Sequence, residues 1–340
     1  MRKDNLYGCI AGAAMGEAMG AAVTTWTTDM IREEYGSLIE SLLPAPTSTK
    51  MKGKFPAGHS ADAVPYALQL IARFLENNGA MSEYDAGEVL LQWGADPANL
   101  EFAGGITRES YCHLAGIDTG YRYPFLTYDH HKISNEAAAR AFASAVFFPG
   151  DVETAVEATI KVFKNIYGNM VSLSGAGAIA AAVSEALKDG ATCHSVLAAG
   201  VHGARRGFEI ADSYRIQPAA TALVSRRMEL AIEIGLAAQG DLEKALTEIE
   251  EKVGCSNAAN ESVPAVFGCL AACDADAAAT LRMAVNLGND TDMMGSMAGA
   301  IVGALHPEAL KQDDVRLVEQ VNGYDFNTLA ENIEKVISAR

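Results

Sequence analysis

The sequence predicts an all-α fold in a single domain over residues 1–340. Three observations carry this. Apolar residues recur at helical spacing along most of the chain, and no alternating stretch longer than four residues reads as a strand. Hydrophobic residues make up 49% and aromatics only 7%, so the apolar surface is mostly small and suits closely packed helices. Glycines recur four apart at Gly12, Gly16 and Gly20, and again at Gly295, Gly299 and Gly303. Positions four apart share a helix face. Each set therefore makes a smooth stripe along which a second helix can approach. The two stripes predict that the first helix and a helix over 293–305 lie at the centre of the bundle. They also put the chain start beside Asp290 and Asp292.

The elements follow in order. Arg2 and Lys3 precede a small, apolar stretch that mimics a signal peptide, but Asp4 and Glu17 interrupt it, so it reads as a buried first helix. Residues 40–58, with Pro44, Pro46 and Pro56, read as a loop. From Asp62 on, Val64, Ala67, Leu68, Ile71, Phe74 and Leu75 keep helical spacing, and Asn78-Gly79 stops the helix. A helix over 82–93 follows, with Ser82 as its cap. Residues 103–133 read as irregular, with Gly104-Gly105, Gly116, Gly120, Pro124 and His130-His131. Further helices are expected over 134–148, 151–167, 171–188, 208–237, 242–253, 260–271, 275–287, 293–305 and 314–320.

Composition narrows the function. The net charge of −17 argues against a nucleic-acid partner and against an anionic membrane surface, since both need clustered Lys and Arg. No run of about eighteen apolar residues predicts a membrane span. The six cysteines form no CxxC pair and no disulfide framework, which fits small buried thiols in a cytoplasmic protein. Neither a Walker A motif nor a Rossmann fingerprint is present.

The most pointed chemistry lies in Asn286-Leu287-Gly288-Asn289-Asp290-Thr291-Asp292. Residues two apart do not share a helix face. Asp290 and Asp292 converge only where the backbone is irregular, as at a helix start. Paired carboxylates there suit a hard cation with oxygen ligands. The plain alternative is a turn whose Asp caps the next helix.

Three segments together resemble the ADP-ribosylglycohydrolase family, which includes the J1 crystallins. They are Gly8-Cys9-Ile10-Ala11-Gly12 with Gly16-Glu17-Ala18-Met19-Gly20-Ala21-Ala22-Val23, then Phe55-Pro56-Ala57-Gly58-His59-Ser60-Ala61-Asp62, then the Asp290 motif. Asn260-Glu261-Ser262-Val263-Pro264-Ala265 and Leu281–Gly288 also resemble family sequence. The resemblance implies a compact orthogonal helical bundle. It implies a metal-dependent hydrolase that cleaves ribose C1 from a protein side chain. It also implies metal at Ser60, Asp62, Asp290 and Asp292, with the first helix next to the last motif.

The departures are specific. Ser60-Ala61-Asp62 stands where the family has Thr-Asp-Asp, so one carboxylate becomes a methyl group. Met293 stands where a Thr hydroxyl would be, and a thioether suits magnesium poorly. Thr24 takes the place of a glutamate, and Glu17 that of an aspartate. Three carboxylates suit one Mg or Mn ion with waters rather than two ions.

The expected function is therefore a divalent-metal-dependent glycohydrolase acting on an N- or O-ribosyl bond. Its partner would be an ADP-ribose-like moiety, on a protein or free, or a nucleoside-like molecule. The alternative is a catalytically impaired, crystallin-like relative that binds a ligand or serves structurally. Asp62 is a catalytic candidate as well as a ligand, and Glu17 a candidate base or a capping carboxylate. His59 beside Ser60, Asn135 before an Ala-rich helix, and Asn289 are candidates for the substrate. Gly168, in a small-residue loop whose amides can approach phosphate, is another. Tyr121, Tyr123, Phe125 and Tyr128 around His130-His131 suit base stacking or an ordinary packed loop.

Overall fold

The computed structural model describes residues 3–46, 55–118 and 132–340. Helices α1 (Lys3–Ala21) and α2 (Thr28–Tyr35) come first. α3 (Ala63–Glu76), α4 (Asp85–Gly94), α5 (Pro97–Phe102) and α6 (Gly105–Leu114) follow. Two single turns, α7 (Glu136–Ala139) and α8 (Phe142–Ala145), lead into α9 (Val152–Phe163), α10 (Met170–Ala186) and α11 (Cys193–Ser213). Then come α12 (Val224–Ala237), α13 (Leu242–Lys252), α14 (Ala259–Ala272) and α15 (Ala277–Asn286). α16 (Thr291–Leu305), a 3₁₀ turn Pro307–Ala309, α17 (Gln312–Asn322) and α18 (Phe326–Ser338) follow them. β pairing among the described residues is limited to two isolated bridges, Ser134 with Ala258 and Asn169 with Gln217. The all-α prediction holds.

The glycine stripes do what their spacing requires. α1 is buried on every side from Gly8 to Ala21, and α16 from Thr291 to Ala304. They run antiparallel, with Gly8, Gly12 and Gly16 against Gly303, Gly299 and Gly295. A Cβ on Gly16 would stand 2.6 Å from the Gly295 carbonyl carbon, far inside van der Waals contact. The antiparallel order corrects one expectation. The end of α1, not the chain start, lies beside the aspartate motif, because Gly20 faces Thr291 and Asp292. A second close pair forms where Gly177 of α10 meets Gly203 and Gly207 of α11.

Three segment expectations are corrected. Residues 134–148 are two turns, not one helix. The Arg140 guanidinium takes the Glu136 carbonyl, 2.8 Å away, that an α-helix would pair with the Arg140 amide. Residues 208–237 are α11 and α12, parted by a segment with Arg215 at φ 56° and Pro218. α11 starts at Cys193, where Thr192 and Ser195 form a capping box. The segment 103–133 is not wholly irregular, since Gly104 opens α6. The short α2 and α5, and α18 behind its Asp325 cap, were not foreseen. No helix among the described residues is long and apolar enough to cross a membrane.

Candidate active site

The turn before α16 is built from two left-handed residues, Gly288 at φ 82° and Asn289 at φ 58°. A side chain at 288 would press a Cβ to 2.8 Å from the Trp26 carbonyl oxygen, so glycine is needed. The Asn289 amide donates to the Trp26 carbonyl and the Thr25 amide to the Asn289 carbonyl, both at 2.6 Å. The Thr291 hydroxyl donates to the Gly20 carbonyl at 2.9 Å. These bonds lock the α16 start to the end of α1. Asp290 holds the N-cap position but makes no capping bond, so the plain cap reading fails for it. Its Oδ2 accepts from Asn135 Nδ2 at 2.6 Å instead. Asp292 Oδ1 accepts from the Thr24 hydroxyl at 2.8 Å.

Asp62 immediately precedes α3 and also makes no capping bond. Glu17 caps that helix in its place: Oε1 accepts from Ala63 N at 2.7 Å and Val64 N at 3.0 Å. Asp62 Oδ2 accepts from the Gly104 amide at 3.2 Å and pairs with Arg140 Nη2. Arg140 is fully buried and also donates to Tyr167 Oη at 3.0 Å. Glu136 in turn caps α6, accepting from Ile106 N at 3.1 Å and Thr107 N at 2.9 Å, and from the Thr107 hydroxyl.

The other expected residues divide. Asn135 is in the cluster, its Nδ2 shared between Asp290 and Ser262. Ser60 is buried, and Asn322 clamps its loop by accepting from Ser60 N at 3.0 Å and donating to the Gly58 carbonyl at 2.8 Å. His59 is half-buried between Phe55 and Phe102, with ring centroids 5.1 and 5.4 Å away, and burial lowers its pKa. Asn289 contributes its backbone and is otherwise exposed. Gly168 is not brought to the carboxylates by any contact. It follows Tyr167 in the turn into α10, and the neighbour a Cβ there would meet is the Lys164 carbonyl. The aromatic segment 121–128 and His130-His131 lie outside the described residues.

Arg140, Glu136 and Asn322 were missed. A signal existed for the first. One Arg inside Ala137-Ala138-Ala139-Arg140-Ala141-Phe142 is a cation in an apolar run, which folds only if paired. Tyr324 was missed too. It lies near Glu17 and Ser60, and burial and the Glu17 charge both raise its pKa.

Burial first, and like charge after it, raises the carboxylates of this cluster. Burial, then the Asp62 charge, pushes Glu17 up to about 8. Burial pushes Asp62 to about 7 against the pull of Arg140. Asp290 rises through burial and the Asp292 charge, and Asp292 rises through burial against its Thr24 bond. Among the described residues, several buried oxygens lack partners: Glu17 Oε2, Asp62 Oδ1 and Asn135 Oδ1. Oxygen donors of this kind suit a hard cation. Among the described residues, however, no three carboxylates, thiols or imidazoles are gathered as a ready cage. Asp290 and Asp292 are the residues that would hold an ion, with neutral oxygens and water, while Arg140 already engages one Asp62 oxygen.

Residues 1–340 match the family described as ADP-ribosylglycohydrolase. The chain belongs to the ADP-ribosylglycohydrolase family. It is 27% identical over 343 residues to YegU of Escherichia coli (strain K12), a protein described as uncharacterized, with 98% of each chain covered. A solved structure described as an ADP-ribosylglycohydrolase-related protein complex superposes with a TM-score of 0.65 at 20% identity, again over 98% of each chain. That likeness bears on the fold of the ADP-ribosylglycohydrolases alone. The family match gives the site a glycohydrolase-type setting.

Proposed function

We propose that this chain hydrolyses an N- or O-ribosyl bond, in an ADP-ribosylated protein or a related ribosyl compound, with one Mg or Mn ion. The observation that carries the reading is the grouping, in an ADP-ribosylglycohydrolase chain, of Asp290 with Asp292, Asp62 and Asn135, where Asp62 Oδ1 and Asn135 Oδ1 have no partner among the described residues. Clustered carboxylates are costly unless a cation or substrate hydroxyls answer them. Asp290 and Asp292 would hold the ion, and Asn135 would orient Asp290. When bound, the ion would polarise water and orient ribose oxygens. Asp62, its shape fixed by Arg140, presents one oxygen that can take a proton from water near neutral pH. Glu17 fits a supporting role better than that of base, since its Oε1 is spent on α3.

A second reading has a specific observation behind it. Ala61 and Met293 replace oxygen ligands, and Met293 is buried at 5% exposure, so a non-catalytic ligand binder is the rival. One experiment separates the two. Chelator-stripped protein is reloaded with manganese and given ADP-ribosylated peptides and nucleosides in parallel. Metal-dependent release of ribose or ADP-ribose that Asp292→Asn abolishes supports the hydrolase. Manganese binding without turnover of any ribosyl compound leaves the rival.

A further inference from the structure

We propose that Arg140 is a resident cation of this carboxylate cluster: it answers Asp62 and Glu136 from within the chain and leaves Asp290 and Asp292 as the pair that calls for an ion. The second half of this rests on the glycohydrolase reading; the first half does not. Arg140 has no exposed surface, so its charge must be paired. Its guanidinium reaches Asp62 Oδ2, lies 3.8 Å from Glu136 Oε2, and donates to the Glu136 carbonyl and Tyr167 Oη. The rings of Tyr66 and Tyr167 lie 5.5 and 5.8 Å from it, which favours a cation at that point. Tyr66, Tyr167 and the backbone break at Arg140 hold the fork in one orientation.

Two consequences follow. Asp62 Oδ2 is committed to Arg140 and the Gly104 amide, so Oδ1 is the oxygen left to face the site, and among the described residues it is buried without a partner. An incoming dication also meets a fixed positive charge on the Asp62 side. In a site of reduced dielectric, one such charge weakens cation binding by at least about 10-fold. Removing it should therefore strengthen binding, whereas loss of a mere packing element would not.

The test is manganese titration of the full chain, stripped of metal, by calorimetry and by electron paramagnetic resonance. Wild type is compared with Arg140→Gln, Arg140→Lys, Asp62→Asn and the double Arg140→Gln/Asp62→Asn. Arg140→Gln should bind manganese at least about 10-fold more tightly, or take up an additional equivalent. Its melting temperature should be low in chelator and rise more on adding manganese than that of wild type. Arg140→Lys should titrate as wild type, and the double variant should lose the gain. If Arg140→Gln binds manganese no better than wild type, the proposal is overturned, while the hydrolase reading stands if wild type binds. If wild type takes no manganese but Arg140→Gln does, the resident cation is supported and the metal part of the hydrolase reading fails. Should Arg140→Gln not fold, the double variant decides: a folded neutral pair supports the charge role, and an unfolded one overturns it.

Discussion

Substituting Gly16 by Ala tests the packing that positions the site. Alanine favours helix by about 1 kcal/mol over glycine. Against this, the new Cβ would stand 2.6 Å from the Gly295 carbonyl carbon, and backbone cannot swing aside as a side chain can. α1 and α16 must part by roughly 1 Å, and a gap of that size forfeits a quarter to a half of each contact along the seam. Overpacking of this kind costs about 1–3 kcal/mol, and the rigid backbone places it at the upper end, for a net loss of about 2 kcal/mol. With an unfolding entropy of about 2.1 cal/mol/K per residue over 340 residues, the melting temperature should fall by about 3 °C. Gly87 in α4 is the control. A Cβ there would meet Leu114 methyls at 3.6 and 3.8 Å, ordinary contacts, so Gly87→Ala should gain up to about 1 kcal/mol. Calorimetric melts of both variants decide the matter. A rise in melting temperature for Gly16→Ala matching that of Gly87→Ala would refute the close-approach argument.

Three further outcomes are expected. Metal-free protein should melt at lower temperature as pH rises from about 4.5 towards 8, because Glu17 is held at about 8 in the fold against 4.5 ordinarily. The folded state keeps an extra proton across that window and loses the advantage as pH passes 8; melts in a pH series should show the slope, and Glu17→Gln should lessen it, with Asp62, held at about 7, contributing a slope of the same sign. Asn322→Ala removes bonds to Ser60 and Gly58, worth about 1–3 kcal/mol in all, so hydrogen exchange at the Ser60 amide should speed up clearly. The double change Ala61→Asp with Met293→Thr adds a carboxylate and a hydroxyl for hard cations; manganese titration should show tighter binding or a second ion, and unchanged affinity would mean these positions do not face the ion.

The fold was legible where residue size or period forced one answer. The glycine spacing identified α1 and α16 as a close pair, since stripes of hydrogen atoms in place of side chains are wasted unless backbones meet there. Their antiparallel order was not legible, because a stripe has no direction. The break at Arg140 was hidden for a related reason. Strong helix formers surround it in the sequence, namely Ala137, Ala138, Ala139 and Ala141, and only a tertiary partner for the guanidinium, Asp62, explains why the helix stops. The aspartates of the site were legible as an irregular pair. Asn135 was named, though for the substrate rather than for Asp290, while the Thr24 bond to Asp292 and the Arg140 pairing with Asp62 were not legible, because those partners come from distant parts of the chain.

The carboxylates can crowd together because helix starts hold them. Glu17 receives the first amides of α3, and Glu136 those of α6. Asp290 and Asp292 stand at the start of α16. Each helix N-terminus carries partial positive charge, which stabilises a carboxylate placed on it. That help is local, and burial still drives Glu17, Asp62, Asp290 and Asp292 above their ordinary pKa values. Helix starts alone thus leave the cluster short of positive charge. Arg140 supplies some from within, at Asp62, the one carboxylate of the group that neither caps a helix nor accepts from a neighbouring Thr or Asn side chain. On the proposed reading the remaining imbalance sits on Asp290 and Asp292, where an external cation would have most to gain.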